Sequence, residues 1–247
     1  MSTTKKIALV TGGNKGLGLE TSRQLAAEGV TVLLGARDLA KGEASAAPLK
    51  AEGLHVRAVK IDVDDRADHT AIAAFIEKEF GVLDILVNNA GIMVDGGALG
   101  TNTTLTVSEE NTRKTFDTNF FAVVALTDAL LPLLRKSEAG RIVNLSSILG
   151  SLTLHATKGS PIYEAKTFAY DTSKVALNSY TIHLAHALKD TKIKVNSAHP
   201  GWVKTDMGTD AAPMNVVDGS KTSVWLATLP EDGPTGGFFH MHDTLPW

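Results

Sequence analysis

The feature that most constrains this chain is a short apolar run that leads directly into a glycine-rich turn and then into a helical pattern. Ile7 to Val10 is entirely apolar, which is typical of a strand buried on both faces of a parallel sheet. The turn Thr11-Gly-Gly-Asn-Lys-Gly-Leu-Gly18 follows, and a helical pattern runs from Leu17 to Glu28 before Gly29. A strand, a turn and a helix in this order predict the first unit of an α/β fold.

Strands and helices alternate through the rest of the chain without internal repeats. The further predicted strands are Val30 to Ala36, His55 to Ile61, Leu83 to Val87, Arg141 to Leu145, Ile193 to Ala198 and Gly236 to Phe239. The further predicted helices are Leu39 to Glu52, Arg66 to Phe80, Ser108 to Arg135, Tyr170 to Lys189 and Val217 to Thr228. Leu149 to Phe168 is predicted to be irregular, because glycines and a proline interrupt it. We expect one domain over residues 1–247: a doubly wound, mostly parallel sheet of about seven strands with helices on both faces.

Composition narrows the range of partners. The chain has 247 residues, 43% of them apolar, which can bury one substantial core. Its net charge of −3 and its lack of a Lys/Arg block argue against nucleic acid or an anionic membrane as a partner and favour a small molecule. The absence of cysteine excludes disulfides and thiolate metal sites. With no signal-peptide-like start and no long apolar run, we expect a soluble, cytoplasmic protein.

The glycine turn has the context that dinucleotide-binding turns require. Its glycines, Gly12, Gly16 and Gly18, would let the backbone approach a pyrophosphate, and the start of the helix would supply free N–H groups. An ordinary strand-to-helix turn that uses glycine for its positive φ is the alternative at this point.

The end of the second strand bears on which dinucleotide is bound. NAD-binding folds place an acid there to bind the ribose 2′-hydroxyl, but this chain has Gly35-Ala36-Arg37. Arg37, together with Lys15 in the glycine turn, would suit a 2′-phosphate. We therefore expect NADPH, with NADH as a possibility through Asp38. Asp38 is also placed to be the N-cap of the next helix, which is the interpretation we favour.

Polar residues follow several other strands, at the edge of the sheet where a cofactor crevice forms. Asp62 and Val63 end the third strand and could reach an adenine. Asn88-Asn-Ala-Gly91 ends the fourth, and Ser146-Ser147 ends the fifth. Asn119 lies inside a predicted helix, where Asn is a poor helix former, so it is either functional or a buried structural amide.

Tyr170 and Lys174 stand four residues apart at a predicted helix start, and so share one face of that helix. A nearby ammonium group lowers the pKa of a phenol, so the pair could act as a general acid or base. Alone this spacing is weak, since a long helix can carry it on a solvated face. Tyr163 and Tyr180 lack a lysine four residues on and are weaker candidates.

In combination these features resemble the short-chain dehydrogenase/reductase family over essentially the full length. The matching residues are Thr11-Gly-x-x-x-Gly-x-Gly18, Asp62, Asn88-Asn-Ala-Gly91, Asn119, Ser147, Tyr170-x-x-x-Lys174 and Pro200-Gly-x-Val-x-Thr205. Within the family the chain looks most like the carbonyl reductases. That narrower likeness rests on Lys15, Ala36-Arg37, the long segment between Ser147 and Tyr170, and the ending Gly-Pro-Thr-Gly-Gly-Phe-Phe with Leu-Pro-Trp.

The resemblance implies a Rossmann-type fold and a role for each matching residue. Tyr170 would protonate a carbonyl oxygen, Lys174 would lower the Tyr170 pKa and bind the nicotinamide ribose, Ser147 would hydrogen-bond the substrate oxygen, and Asn119 would hold a water for proton resupply. The residues expected to bind NADPH are Gly12, Asn14, Lys15, Gly16, Leu17, Gly18, Arg37, Asp62, Val63, Asn89, Ala90, Gly91, Tyr170, Lys174, Pro200, Gly201, Val203 and Thr205.

The Ser147 to Tyr170 spacing is longer than the commonest pattern of the family, so monomer or homo-oligomer stays open. The segment from Gly150 to Thr167, with Met207 to Val217, could cover the substrate. The expected substrate-pocket residues are Met93, Val94, Leu149, Tyr163, Trp202 and Met207. The polar loop Gly96 to Thr106 is assigned no role.

The same residues are compatible with other functions. An NAD-linked secondary alcohol dehydrogenase of the same family is the nearest alternative, and a non-catalytic dinucleotide sensor is a remote one. Metal chemistry is not expected, because neither His183 with His186 nor His240 with His242 has a third ligand at recognisable spacing.

Overall fold

The protein is described by a computed structural model, in which residues 5–95 and 103–247 are described. An eight-stranded sheet forms its centre, with the strand order β3-β2-β1-β4-β5-β6-β7-β8. The strands are β1 (Ile7–Val10), β2 (Thr31–Ala36), β3 (Val56–Lys60), β4 (Ile85–Asn88), β5 (Arg141–Leu145), β6 (Lys194–Ala198), β7 (Phe238–His240) and β8 (Asp243–Thr244). All neighbouring strands are parallel except β7 and β8. The predicted doubly wound α/β fold is thus confirmed, with an antiparallel edge strand that the prediction lacked.

Helices cover both faces of the sheet. They are α1 (Gly16–Ala27), α2 (Leu39–Ala51), α3 (Arg66–Glu79), α4 (Glu109–Phe116), α5 (Ala122–Leu134), α6 (Leu152–Ala156), α7 (Phe168–Ala187) and α8 (Val216–Ala227). Apolar residues of α1, α2 and α8 form a core on one face, and those of α3, α5 and α7 form a core on the other. Alternate strand residues supply the two cores, Ala8 and Val10 to the first, Ile7 and Leu9 to the second.

The chain order reverses between β1 and β4, which lie side by side although two strands separate them in sequence. In open α/β sheets a crevice forms at such a switch point, outside the carboxyl ends of the strands. The glycine turn after β1 and the Asn-rich segment after β4 therefore lie next to each other. The register pairs Val10 with Val87, so both strands end at the same level.

The predicted helix from Ser108 to Arg135 is one element in sequence but three in structure. Ser108 caps α4 by accepting a hydrogen bond from the Asn111 amide at 3.1 Å. A π-helical turn, Asp117–Phe121, then separates α4 from α5. Such wide turns inside α-helices are frequent at functional sites, and this one contains Asn119.

By length and composition, Glu109–Leu134 is also long and apolar enough to cross a membrane. Its residues Leu126, Leu130, Leu133 and Leu134 pack in the second core. Burial in the domain thus accounts for the apolar character of this segment.

The segment between Ser147 and Tyr170 is more regular than predicted. It contains a 3₁₀ turn, Ile148–Gly150, and the short helix α6. Helix α7 begins at Phe168, two residues before the predicted start, which places Tyr170 inside its first turn. The loop from 96 to 102 lies outside the described residues.

Candidate active site

The glycine turn opens the crevice. Gly12 and Gly16 have positive φ angles of 62° and 54°, which other residues rarely adopt. A Cβ on Gly18 would lie 2.3 Å from the Gly12 carbonyl oxygen, so α1 can pack against the turn only without a side chain there. Among the described residues no side chain caps α1, whose N-cap is Lys15. The first N–H groups of α1 are thus available to an anion, which is the donor arrangement a pyrophosphate needs.

The floor of the crevice is built from the segment after β4. The Asn89 side-chain amide donates to the Thr11 carbonyl at 2.7 Å and to the Gly12 carbonyl at 3.2 Å. The Thr11 hydroxyl accepts from the backbone amides of Asn89 and Ala90, each at 3.0 Å. Asn88 points the other way, into a buried bond with Asn144. Asn89 thus holds the glycine turn in its shape, and Asn88 joins neighbouring strands.

The residues expected to bind the adenosine part lie at the exposed end of this crevice. Arg37 is exposed directly after β2. The Asp38 side chain accepts from the Lys41 amide and caps α2, as the favoured interpretation has it. Asp62 and Val63 are partly buried after β3. Lys15 forms an ion pair with Asp206 at 2.5 Å, a partner that the sequence did not predict.

Tyr170, Ser147 and Lys174 meet at the buried end. Tyr170 lies in the first turn of α7 and is 8% exposed. The Ser147 hydroxyl is close enough to this phenol to lower the pKa of Tyr170. The Lys174 ammonium donates to the Leu145 carbonyl at 2.8 Å and lies 5.5 Å from the centre of the Tyr170 ring. Three residues from two separate predicted elements are therefore brought together.

Of the two serines after β5, Ser147 is the one that faces Tyr170. Its hydroxyl also accepts from the Leu149 amide at 3.2 Å, which starts the 3₁₀ turn. The Ser146 hydroxyl is buried and has no hydrogen-bond partner among the described residues.

Asn119 lies beside the same group from the π-helical turn. It is fully buried, and its amide accepts from the Ile92 N–H and donates to the Ile92 carbonyl, each at 2.8 Å. It also donates to the Ser173 hydroxyl at 3.0 Å. A Cβ on Gly91 would lie 3.2 Å from Asn119 Oδ1 and 3.6 Å from Lys174 Nζ. The Gly91 backbone thus passes close to both Asn119 and Lys174, where a side chain would press on Asn119.

Burial shifts the pKa values of both Tyr170 and Lys174. It raises the pKa of Tyr170, to which the Asp171 charge adds, while the Ser147 hydrogen bond lowers it. The sequence predicted a lowered pKa from the nearby ammonium group, and in this arrangement that direction is wrong because desolvation dominates. Burial also lowers the pKa of Lys174 to about 8. Tyr170 is therefore a protonated donor at neutral pH, and Lys174 is mostly a cation.

The loop after β6 closes the crevice from above. Gly201 has a φ of 89°. The Thr205 hydroxyl accepts from the Gly208 amide at 3.0 Å, and a Cβ on Gly16 would lie 3.5 Å from the Thr205 methyl. Val203 is buried, and Pro200 is partly buried. This loop and the glycine turn thus face each other, as a site for a bound dinucleotide requires.

The residues expected in the substrate pocket are spread around this end. Met93, Val94, Leu149 and Tyr163 are partly buried. Trp202 is 48% exposed and donates from its indole to the Gly208 carbonyl at 2.8 Å, and Met207 is 38% exposed. Their grouping into one pocket stays a prediction.

Sequence reasoning missed two residues that connect the parts of the site. His199 is buried after β6, and its Nδ1 accepts from the Ile148 amide at 3.1 Å, next to Ser147. Burial, with a smaller contribution from the neighbouring His240, lowers the pKa of His199 to about 3, so Nδ1 stays an acceptor. Asp95, after β4, accepts from the amides of Ala169 and Tyr170. Each is a polar residue shortly after a strand, a signal that by itself names no partner.

Across residues 5–95 and 103–247, no three His, Cys, Asp or Glu side chains are grouped to hold an ion. His240 lies against His199, with ring centres 4.9 Å apart, and His242 packs on Trp225.

The fold and this site define a single-domain, dinucleotide-binding oxidoreductase, and comparison with known proteins places it in a family. The family model described as short chain dehydrogenase matches residues 6–215. Carbonyl reductase [NADPH] 1 from Homo sapiens is 35% identical, and the match covers all of both chains. (+)-Neomenthol dehydrogenase from Capsicum annuum is 32% identical over 98% of each.

Solved structures agree with the sequence comparison. An NADPH-bound carbonyl reductase from chicken fatty liver superposes with a TM-score of 0.83 at 27% identity, covering 99% of this chain and all of the other. The chain therefore belongs to the short-chain dehydrogenase/reductase family and is similar to its carbonyl reductases. Members of this family are oxidoreductases that bind NAD or NADP and act on carbonyl or alcohol groups of small molecules.

Proposed function

We propose that the protein is an NADPH-dependent carbonyl reductase that converts ketones or aldehydes to alcohols, reversibly, with Tyr170 as the general acid. The observation that carries this proposal is that Ser147, Tyr170 and Lys174 lie together at the inner end of a crevice that begins at the glycine turn. NADPH, when bound, supplies the hydride for such a reduction. The chain's own residues must then bind the carbonyl oxygen and give it a proton.

The proton comes from the Tyr170 hydroxyl. Negative charge develops on the carbonyl oxygen during reduction, and a donor already aimed at that oxygen stabilises it where it forms. Because burial raises the pKa of Tyr170, its hydroxyl carries the proton throughout the neutral range. Ser147 is within hydrogen-bond reach of the same phenol and supplies the second donor to the oxygen.

Lys174 and Asn119 assist Tyr170 in its role as the acid. Lys174 holds one hydrogen bond, to the Leu145 carbonyl, and as an ammonium group has donors left for the ribose hydroxyls of a nicotinamide nucleotide. Asn119 fixes the Ile92 backbone and Ser173, which lies next to Lys174 in α7. In this proposal Asn119 holds the water through which Tyr170 regains its proton, by way of Lys174.

The preference for NADPH rests on the cations at the exposed end. Arg37 stands where NAD-binding folds place an acid, and Asp38 is engaged as a helix cap. The names of the human relative and of the chicken structure both include NADPH. Lys15 must give up Asp206 to reach a 2′-phosphate, and since both side chains are largely exposed this exchange costs little. The proposal includes a cytoplasmic location, which rests on the lack of cysteine.

The test follows nicotinamide absorbance with purified protein, NADPH or NADH, and a panel of aryl ketones, α-keto esters, cyclic ketones and aldehydes. We expect turnover with NADPH exceeding that with NADH, and a large loss of rate in Tyr170→Phe. Tyr180→Phe is the matched control, because Tyr180 is a partly buried tyrosine of the same helix without a lysine four residues on. Tight cofactor binding without turnover on any carbonyl would contradict the proposal and favour a sensor.

A further inference from the structure

The first turn of α7 is capped from outside the helix. Within the described part of the chain, the N-cap residue Thr167 makes no side-chain cap bond. Instead the Asp95 carboxylate accepts from the Ala169 amide at 2.8 Å through Oδ2 and from the Tyr170 amide at 3.2 Å through Oδ1. Asp95 is 4% exposed. One buried carboxylate therefore holds the backbone of Tyr170 and of the residue before it.

A second carboxylate completes the same turn. Asp171 accepts from the Thr167 amide at 2.8 Å. Its other neighbours are His155 of α6, with Nε2 at 3.4 Å, and the charges of Asp95 and Lys166. The orphan N–H groups at a helix start need such acceptors, and negative charge is favoured there. Asp171 holds the residue at which the helix begins, Thr167, whereas Asp95 holds the backbone at Tyr170.

Asp95 belongs to the same segment that builds the crevice. Asn89 holds the glycine turn, Ile92 holds Asn119 through both of its backbone groups, and Asp95 holds Tyr170. These three contacts lie within seven residues after β4. A shift of this segment would thus move the acid relative to the glycine turn and Ser147, and small misplacements of reacting groups lower rates steeply.

We propose that Asp95 is a positioning residue for Tyr170: its carboxylate, through the amides of Ala169 and Tyr170, sets the place of the phenol against Ser147. This inference rests on the proposed function of Tyr170 as the acid. Asp95 acts through the backbone and touches no reacting atom. Asparagine keeps one of the two acceptor oxygens, and alanine keeps neither.

The first test compares variants in the NADPH-loaded enzyme. We expect Asp95→Ala to lower kcat about 10- to 100-fold, Asp95→Asn to restore part of it, and the Kd for NADPH to change by less than about three-fold. Asp65→Ala is the matched control, because the Asp65 carboxylate caps α3 by accepting from the Ala67 amide at 2.9 Å. It should lower the melting temperature without lowering kcat. A kcat that is unchanged in Asp95→Ala would overturn the proposal.

A double variant separates positioning from general destabilisation. If Asp95 acts through the phenol, Asp95→Ala should cause little further loss in a Tyr170→Phe background. Equal losses in both backgrounds would show that Asp95 acts elsewhere, and would overturn the proposal.

Amide hydrogen exchange tests the contact without any turnover. Ala169 and Tyr170 should exchange faster in Asp95→Ala, to a smaller degree in Asp95→Asn, and at the wild-type rate in Asp65→Ala. Unchanged exchange in Asp95→Ala would overturn the proposal by itself. Full activity in Tyr170→Phe would instead contradict the proposed function, and the exchange result would still show whether Asp95 holds this turn.

Discussion

The two ends of the crevice hold their polar side chains in different ways. At the buried end, Tyr170, Lys174 and Asn119 are at most 8% exposed, and each is held by residues from another part of the chain. At the exposed end, the side chains of Lys15 and Asp206 are 70% and 80% exposed and form an ion pair with each other. Exposed pairs exchange partners at little cost, whereas a buried polar group that loses its partner costs stability. The reaction rate should therefore be sensitive to substitutions at the buried end. The preference between NADPH and NADH should be easier to change by substitutions at the exposed end.

The largest expected effect is at the buried end. Tyr170→Phe removes the proposed acid and keeps the ring, so kcat should fall by about 10²- to 10⁴-fold. Because the ring still fills its space, the Kd for NADPH should stay close to that of the wild type. Steady-state rates and a fluorescence titration of the cofactor check both expectations. A loss of cofactor affinity as large as the loss of rate would show that the two ends are not separable.

The pH dependence of reduction reports on Lys174. Burial lowers its pKa to about 8, so Lys174 is charged below that pH and neutral above it. The rate of carbonyl reduction should thus fall as the pH rises through about 8. Lys174→Ala should react slowly and lose this limb of the kcat profile, since the titrating group is gone. Retention of the limb in Lys174→Ala would assign it to another group.

A smaller effect is expected at Arg37. Arg37→Ala should raise the Michaelis constant for NADPH by about ten-fold through loss of a charge-assisted hydrogen bond. The value for NADH should change little, because NADH lacks the 2′-phosphate. Arg66→Ala, on α3, removes an exposed arginine elsewhere and serves as the control. An unchanged NADPH constant in Arg37→Ala would refute the cofactor assignment.

The smallest effect is expected at Asp206. Asp206→Asn releases Lys15 from its ion pair, so the affinity for NADPH should rise by less than about three-fold. The gain should be absent for NADH and should shrink at high salt, where exposed charges are screened. A titration at two salt concentrations measures it. Weaker NADPH binding in Asp206→Asn would show that Asp206 supports the bound cofactor and does not compete with it.

The fold could be predicted from sequence because its signals are local. Buried parallel strands appear as apolar runs, and the glycine turn and the residues after each strand end mark one edge of the sheet. Tyr170, Lys174, Ser147 and Asn119 could be selected by their resemblance to a family pattern, and the structure brings them together.

The contacts that position the site could not be predicted in the same way. Asp95 and Tyr170 are 75 residues apart, and no local pattern pairs a loop carboxylate with the start of a distant helix. The ion pair Lys15–Asp206 spans 191 residues. The pKa of Tyr170 was predicted in the wrong direction because the spacing to Lys174 is visible in sequence, whereas the desolvation of the phenol is not.

The π-helical turn at Asp117–Phe121 determines what the deletion of one residue would do to this segment. A π turn contains one residue more than an α turn needs, so deleting a residue there would leave a continuous α-helix. Such a deletion should give a more stable protein. Every helical residue on one side of the deletion would be rotated by about 100° around the helix axis relative to the other side. Asn119 would then no longer meet Ile92 and Ser173. The extra residue of the π turn therefore keeps Asn119 in contact with Ile92 and Ser173.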